Sequence, residues 1–112
     1  MKKQKPFTRS HGLLMPVFSL NSPYGIGTLG RPSFEFIDFL CRAGASYWQM
    51  LPIGPTGYGD SPYQCFSAFA GNPYFLDPEW FLNKGWIPPE ALNLFIYEKS
   101  SRVDYGWLFK TR

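Results

Sequence analysis

Two short apolar runs stand out in the first half of the chain, at residues 12–18 and residues 47–53. Each run is continuous rather than alternating, which is typical of a strand buried on both faces of a parallel sheet. Each also contains a proline, Pro16 and Pro52, whose missing backbone N–H must end or bend a strand. The pattern therefore predicts two short, buried strands.

The segment between the two runs has the spacing of a helix. Pro32 suits the first helical turn. Apolar residues then recur at helical spacing: Phe36, Ile37, Leu40 and Cys41. Gly44 fits the left-handed position beyond the helix end. The order of strand, loop, helix and strand predicts a βαβ unit over residues 11–53, with parallel strands and a right-handed crossover.

Regular periodicity stops after the second apolar run. Residues 54–76 are rich in glycine, proline and hydroxyl side chains, and so long an irregular stretch in a compact domain is usually functional. Residues 77–112 instead show start and stop signals of small helices: Asp77–Pro78, Gly85, Pro88–Pro89 and Asp104. No stop signal follows the last start, so the sequence is expected to end inside a longer protein.

Composition narrows the function classes. The chain is 45% hydrophobic and 17% charged, which is globular composition, and its net charge is +3. Because its basic residues gather near the two ends and form no stripe, no nucleic-acid partner is expected. No apolar run reaches the length of a membrane span, and none follows the charged amino terminus. We therefore expect no membrane partner and a cytoplasmic protein.

Few residues suit metal or nucleophilic chemistry. Two cysteines are too few for a disulfide framework, and no metal-ligand spacing exists, so no metal and no cofactor are expected. Cys41 is interpreted as part of the core, whereas the role of Cys65 is undecided. The single histidine, His11, precedes the first strand and is interpreted as structural or exposed.

The long loop carries the side chains best suited to ligand binding. Tyr58 and Tyr63 offer flat surfaces that stack on the apolar face of a pyranose, and Ser61 adds a hydroxyl. Asp60 lies between the tyrosines, but glycoside chemistry needs two facing carboxylates and no second one is found. A turn-forming role for Asp60 is equally open.

Several segments together resemble one known family. They are Ser22-Pro-Tyr-Gly-Ile-Gly27, Tyr47-Trp-Gln-Met-Leu-Pro-Ile-Gly-Pro-Thr56, Tyr58-Gly-Asp-Ser-Pro-Tyr-Gln64 with its continuation to Tyr74, and Val103-Asp-Tyr-Gly106. These segments are similar to the amino-terminal signature of the amylomaltases, or 4-α-glucanotransferases. The similarity begins near Arg9 and covers most of the chain.

The resemblance implies an α/β fold, namely the amino-terminal portion of a (β/α)8 TIM barrel with inserted subdomains. Such a barrel needs about 200 residues or more, so it must be incomplete in a chain of 112. A partial parallel sheet is expected to leave hydrophobic edges unpaired and apolar faces uncovered. Within it, residues 1–112 form the amino-terminal part of the catalytic domain. Residues 11–53 are then its first βαβ unit, residues 54–76 a substrate loop, and residues 77–112 the start of a helical insertion.

The resemblance also implies an activity, the transfer of an α-1,4-glucan segment to a glucose or maltooligosaccharide acceptor by a retaining covalent mechanism. By motif position, Tyr63 lines the cleavage subsite and Tyr58 belongs to a second glucan-binding site. Ser61 makes a further sugar contact, and Asp60 completes the predicted substrate-binding set. The family's three catalytic carboxylates match nothing here, so no catalytic residue is expected and the chain alone is expected to be inactive.

Two points stay open at this stage. Cys65 stands where the family usually has a serine, which either alters a hydroxyl contact or changes nothing. A non-catalytic α-glucan-binding module would keep the same aromatic loop and is the alternative function. α-1,4-Glucans and maltooligosaccharides are the expected partners in both cases. Partner subunits are unknown from the sequence.

Overall fold

The computed structural model describes residues 8–57, 59, 61–63, 65, 67, 69–97 and 102–112. The first half contains the strand β1 (Gly12–Leu14), a 3-10 turn (Val17–Ser19), the helix α1 (Arg31–Arg42) and the strand β2 (Tyr47–Gln49). The second half contains a 3-10 turn (Pro73–Phe75), the helices α2 (Pro78–Asn83) and α3 (Pro89–Leu92), another 3-10 turn (Asn93–Phe95), and the helix α4 (Tyr105–Thr111).

The two strands pair in parallel, with Gly12 opposite Tyr47 and Leu14 opposite Gln49. The parallel pair on either side of a helix is therefore confirmed. Gly12 allows the strands to approach closely, because a Cβ there would lie 2.5 Å from the carbonyl oxygen of Tyr47. Each strand is shorter than predicted, with three residues. β1 ends before Pro16, where the chain turns into the 3-10 segment.

The burial of the strands differs from the sequence prediction. Leu13 and Leu14 on β1 are 42% and 58% exposed, and Tyr47 on β2 is exposed as well. Burial on both faces, which the apolar runs predicted, is therefore wrong for this chain, whereas the uncovered apolar faces expected of an incomplete parallel sheet are confirmed. The physical reason is that the sheet has two strands in the part of the chain that the structure describes, and an apolar strand is buried only by what packs on it.

Helix α1 packs on the sheet through a narrow stripe. Leu40 is buried, and the ring of Phe36 meets the ring of Trp48 edge-on with centroids 4.9 Å apart. Gly44 has the predicted left-handed conformation after the helix, with a φ of +75°. Ile37 and Cys41 are exposed. The interpretation of Cys41 as a core residue is wrong, because it lies beside the buried stripe rather than within it.

The buried core is built mainly from loops and the last helix. Its members are Val17, Ile26, Phe75 and Leu108. Leu108 is fully buried, and the partly buried Trp48 and Trp107 pack against the cluster. The most buried part of the chain therefore lies where the helical segment folds back on the loop after β1, and not between sheet and helix.

The small helices begin where their capping residues predict. The Asp77 side chain accepts the N–H of Glu79 at 3.0 Å at the start of α2, and Gly85 follows that helix with a φ of +73°. The Asp104 side chain accepts the N–H of Trp107 at 3.0 Å at the start of α4. These local predictions are confirmed, because a cap depends only on residues within one turn.

Candidate functional site

The loop over residues 54–71 leaves the sheet after β2 and is closed at its base. The N–H of Asn72 donates to the carbonyl oxygen of Ile53 at 2.8 Å, and the Asn72 side chain accepts the N–H of Tyr74 at 2.9 Å. Asn72 itself is buried. One residue thus ties the end of the loop both to its start and to the 3-10 turn that follows.

A second closure lies inside the loop. Thr56 and Cys65 form an antiparallel bridge, and the thiol of Cys65 donates to the carbonyl oxygen of Pro62 at 3.2 Å. Gly54 packs against this bridge, since a Cβ there would lie 2.8 Å from the sulfur of Cys65 and 3.3 Å from the carbonyl oxygen of Ser67. Cys65, undecided from the sequence, therefore helps to close the turn.

Tyr63 lies in the turn that this bridge closes. Its N–H donates to Oγ of Ser61 at 3.3 Å, which is a local turn contact, and its side chain is 72% exposed. The backbone of Tyr63 is therefore held, while its ring and hydroxyl are open to a ligand. The hydroxyl of Ser61 accepts one bond here and still has a proton to donate.

The structure brings together two of the four predicted substrate-binding residues. Ser61 and Tyr63 lie in one turn, whereas Tyr58 and Asp60 lie outside the described residues. The sugar-binding roles of all four stay predictions. Farther along the loop the ring of Phe69 is fully exposed, and Oγ of Ser67 accepts the Phe69 N–H at 3.4 Å. The loop thus exposes a second aromatic surface that the sequence analysis did not single out.

Two carboxylates, Asp77 and Glu79, are engaged through all four of their oxygens. Asp77 accepts the N–H of Glu79 at 3.0 Å and the N–H of Arg31 at 3.3 Å. Glu79 accepts the hydroxyl of Tyr24 at 2.8 Å and forms a 3.1 Å ion pair with Arg31. We call these four residues the polar seam. These bonds give both carboxylates a structural role, because they join α2 to Tyr24 and to the start of α1.

The electrostatics of the polar seam fit this structural role. Burial, and then the hydrogen bond to Glu79, raise the pKa of Tyr24, so its hydroxyl stays protonated and keeps donating at neutral pH. Arg112 extends the same region, since its guanidinium donates to the carbonyl oxygens of Tyr74 at 2.9 Å, Leu76 at 3.3 Å and Tyr24 at 3.3 Å. Burial lowers the pKa of Arg112.

Sequence reasoning predicted the helix cap at Asp77 but missed the long-range pairs of the polar seam. Its partners are 46 residues apart for Arg31 and Asp77, and 55 residues apart for Tyr24 and Glu79. Neither separation leaves a local pattern that a reading of the sequence can detect. One indirect signal exists at Gly30, where any side chain would collide with the Asp77 carboxylate, but a glycine alone does not name its partner.

Two hollows border the loop after β1. One of about 360 Å³ is lined by Asn21, Ser22, Arg31 and Glu35, among others. The other, of about 510 Å³, is lined by Asn21, Ser22, Tyr97 and Tyr105, among others. Both volumes fall in the usual range of small-molecule sites. Across the described residues, no group of three or more His, Cys, Asp or Glu side chains could hold a metal ion.

Comparison with known proteins gives this geometry a context. The sequence model of a family described as 4-alpha-glucanotransferase matches residues 15–112. The 4-alpha-glucanotransferase of Thermus thermophilus is 52% identical over 101 residues, which are 90% of this chain and 19% of that protein. The chain belongs to the 4-alpha-glucanotransferase family. The family resemblance inferred from the motifs is therefore confirmed.

Two further members of the 4-alpha-glucanotransferase group extend the comparison. The enzyme of Clostridium butyricum is 46% identical over 99 residues, covering 88% of this chain and 20% of that protein. An amylomaltase from Streptococcus agalactiae, solved in complex with acarbose, superposes with a TM-score of 0.88 at 40% identity. That superposition covers 94% of this chain and 21% of the amylomaltase.

The chain thus spans about a fifth, 19% and 20%, of the length of these 4-alpha-glucanotransferases. The predicted fold, the amino-terminal portion of an α/β barrel with inserted subdomains, is confirmed by the superposition on amylomaltase. The division into residues 11–53, 54–76 and 77–112, and the substrate role of the middle stretch, stay predictions. Among the described residues, no helix has the length and apolar character needed to cross a membrane.

Proposed function

We propose that the chain is the amino-terminal, glucan-binding part of a 4-alpha-glucanotransferase. The complete enzyme transfers an α-1,4-glucan segment to a glucose or maltooligosaccharide acceptor with retention, through a covalent glucosyl-enzyme. The reacting carboxylates come from another part of the polypeptide, which agrees with the engagement of every oxygen of Asp77 and Glu79. Family membership carries the proposal, and a cytoplasmic role in glucan metabolism is part of it.

Tyr63 is the residue through which this part acts on the substrate. Its backbone is fixed by Ser61 and by the bridge at Cys65, so binding a sugar orders little of the loop and costs little entropy. Its exposed ring offers a surface to the C–H face of a glucose unit. Its hydroxyl raises the rate when the hydrogen bond to the sugar strengthens in the transition state.

The other predicted residues extend this surface. Ser61 lies beside Tyr63 and supplies a hydroxyl donor to a neighbouring glucose unit. Tyr58 serves a second glucan-binding site, where an additional aromatic platform holds long glucans. Asp60 supplies a carboxylate acceptor for sugar hydroxyls rather than a catalytic group, since glycoside chemistry would require a second facing carboxylate.

The proposal is tested in a chimera in which this chain replaces the matched 101-residue segment of the Thermus thermophilus relative. Tyr63→Phe removes one hydroxyl, and we expect kcat for maltotriose disproportionation to fall about tenfold. Tyr97→Phe is the matched control, because it removes the hydroxyl of a tyrosine outside the loop, where that hydroxyl bonds to the side chain of Asp104 at 3.2 Å. Unchanged kcat and KM in Tyr63→Phe would refute the role of Tyr63.

A non-catalytic α-glucan-binding module is the second candidate, and one observation favours it. The loop exposes two aromatic rings, those of Tyr63 and Phe69, which suit stacking on glucose units. The same chimera separates the two functions. A binding module predicts that Tyr63→Phe raises KM and leaves kcat unchanged, because binding is then lost equally from ground state and transition state.

A further inference from the structure

The 3-10 turn at residues 73–75 is the fixed point to which the end of the loop over residues 54–71 is attached. Phe75 in this turn is buried and belongs to the hydrophobic core. Its carbonyl oxygen accepts the N–H of Leu29 at 2.8 Å, which ties the turn to the loop after β1. Because a buried ring and a long-range backbone bond hold it, the turn can anchor the segments beside it.

Arg112, directly after α4, holds the same turn from another side. Its guanidinium donates to the carbonyl oxygens of Tyr74 at 2.9 Å and Leu76 at 3.3 Å, and also to that of Tyr24 at 3.3 Å. A guanidinium presents several donors in one plane, so a single side chain can bond all three carbonyls. Arg112 therefore joins α4 both to the turn and to the loop after β1.

Asn72 connects the turn to the base of the loop. Its Oδ1 accepts the N–H of Tyr74 at 2.9 Å, and its own N–H donates to the carbonyl oxygen of Ile53 at 2.8 Å. The backbone of Tyr74 is thus held at both ends, by Asn72 at its N–H and by Arg112 at its carbonyl oxygen. The position of the turn therefore determines where Ile53, and with it the start of the loop, can lie.

A short series of contacts leads from the base of the loop to Tyr63. Gly54 follows Ile53 and lies so close to Cys65 that a Cβ would be 2.8 Å from the sulfur. The thiol of Cys65 donates to the carbonyl oxygen of Pro62, the residue before Tyr63. Each step is a contact or a covalent bond, so a shift of Ile53 moves the turn that carries Tyr63.

We infer that Asn72 and Arg112 are positioning residues, which hold Tyr63 where it meets the glucan. Both act through the backbone of other residues rather than through contact with the sugar. The effect on the reaction rests on the proposed role of Tyr63, whereas the hold on the loop is a property of the chain and is measured without sugar. Small displacements of positioning groups are costly in rate, so weak bonds far from the sugar matter.

The hold on the loop is tested first, in the chain without sugar, through its two thiols. Cys65 is half-buried and closes the turn, whereas Cys41 is exposed on α1 and is the internal control. In Asn72→Ala, we expect iodoacetamide to alkylate Cys65 at least about threefold faster, because the loop opens more often, and Cys41 at an unchanged rate. Mass spectrometry of the two peptides gives both rates.

Asp77→Ala is the matched control variant for the alkylation experiment. Like Asn72→Ala, it removes a side-chain acceptor from the N–H two residues farther on, but it does so at α2, outside the loop. We expect it to leave the Cys65 rate unchanged. Arg112→Lys is the second variant, since it keeps the charge and loses the planar set of donors. It is expected to speed alkylation of Cys65 as well, and circular dichroism shows that each variant is folded.

The effect on the reaction is tested in the chimera with the Thermus thermophilus relative. Asn72→Ala is expected to lower kcat for maltotriose disproportionation about tenfold, and Asn72→Asp, which keeps an acceptor for the Tyr74 N–H, to recover most of it. In a Tyr63→Phe background, Asn72→Ala is expected to lower kcat less than about twofold, because the hydroxyl that it positions is already gone. A merely structural role predicts the same loss in both backgrounds.

Three results would overturn the inference: an unchanged Cys65 rate in Asn72→Ala and Arg112→Lys, an equal rise of that rate in Asp77→Ala, or the same loss of kcat from Asn72→Ala with and without the Tyr63 hydroxyl. Failure of the proposed function looks different. In that case Tyr63→Phe alone leaves kcat unchanged, while the faster alkylation of Cys65 in Asn72→Ala still supports the hold on the loop.

Discussion

The region around Leu108 and the strand pair of β1 and β2 contain the same kinds of apolar side chains but bury them very differently. Leu108 is 0% exposed, whereas Leu14 on β1 is 58% exposed. Loops and α4 complete the first region within the chain, and the polar seam closes it at the surface. The second region consists of the barrel strands β1 and β2. In the described part of the chain, no further strand extends this sheet.

The two regions therefore contribute differently to the stability of the fold. The Leu108 region is held by contacts between residues far apart in the sequence, and its apolar burial stabilises the fold. The strand pair contributes less, because Leu13, Leu14 and Tyr47 are exposed. The loop that carries Tyr63 belongs to neither region, because it is closed locally by Asn72 and Cys65.

The largest expected effect comes from Leu108→Ala, which cuts a cavity into the first region. We expect the free energy of unfolding to fall by about 2–5 kcal/mol. The measurement is urea unfolding of the chain followed by tryptophan fluorescence. Phe109→Ala is the matched control on the same helix, since Phe109 is 80% exposed, and is expected to change stability by less than about 0.5 kcal/mol. An equal loss of unfolding free energy in Leu108→Ala and Phe109→Ala would contradict the importance of burial at Leu108.

The polar seam comes next. Asp77→Ala removes the cap of α2 and the acceptor of the Arg31 N–H, and we expect a loss of about 1–3 kcal/mol in the same urea experiment. The control is Asp38→Ala, which removes an exposed carboxylate from α1. A loss of stability no greater in Asp77→Ala than in the control would show that the seam contributes nothing to the closed region.

A smaller effect, on the activity of the chimera, is expected where Gly54 packs against Cys65. Gly54→Ala places a Cβ 2.8 Å from the sulfur of Cys65, so the turn that carries Tyr63 must shift. We expect kcat/KM of the chimera to fall about tenfold, because small displacements of positioning groups are costly. Gly71→Ala is the control in the same loop, since a Cβ there meets nothing within 4 Å. Full activity in Gly54→Ala would contradict a positioned Tyr63.

The smallest effect is a pH dependence at α4. The N–H of Trp107 lowers the pKa of Asp104 from its ordinary value. A lowered pKa means that the carboxylate stabilises the fold above its unfolded pKa, and this contribution is lost as the pH falls through the folded pKa. We expect helical circular dichroism to decline below about pH 4, and Asp104→Asn to reduce that decline. Glu90→Gln is the exposed control and is expected to leave the decline unchanged. An equally unchanged decline in Asp104→Asn would contradict the prediction.

The sequence correctly predicted the helix caps and the left-handed glycines. Asp77 and Asp104 cap their helices, and Gly44 and Gly85 take left-handed conformations, because each of these features depends on one turn of chain. The parallel pairing of the strands followed from the order of elements alone. In the loop, the motif singled out Ser61 and Tyr63, and the structure places them in one turn.

Burial and long-range pairing were not predictable in the same way. The strands and Cys41 were expected to be buried because continuous apolar runs and helical spacing are typical of buried elements, but burial depends on the elements that pack on them. The pairing of Tyr24 with Glu79 spans 55 residues, and that of Arg112 with Tyr24 spans 88. Neither leaves a periodicity, so only the folded chain reveals them.

The central claim is that this chain binds glucans through Tyr63 and that the reacting groups lie elsewhere. Saturation-transfer NMR of maltotriose in the presence of the chain tests both parts in one spectrum. The account predicts saturation transfer to the sugar, its loss in Tyr63→Ala, and no new glucose signals over hours. The account is contradicted if transfer is absent, if it persists unchanged in Tyr63→Ala, or if the chain alone releases glucose.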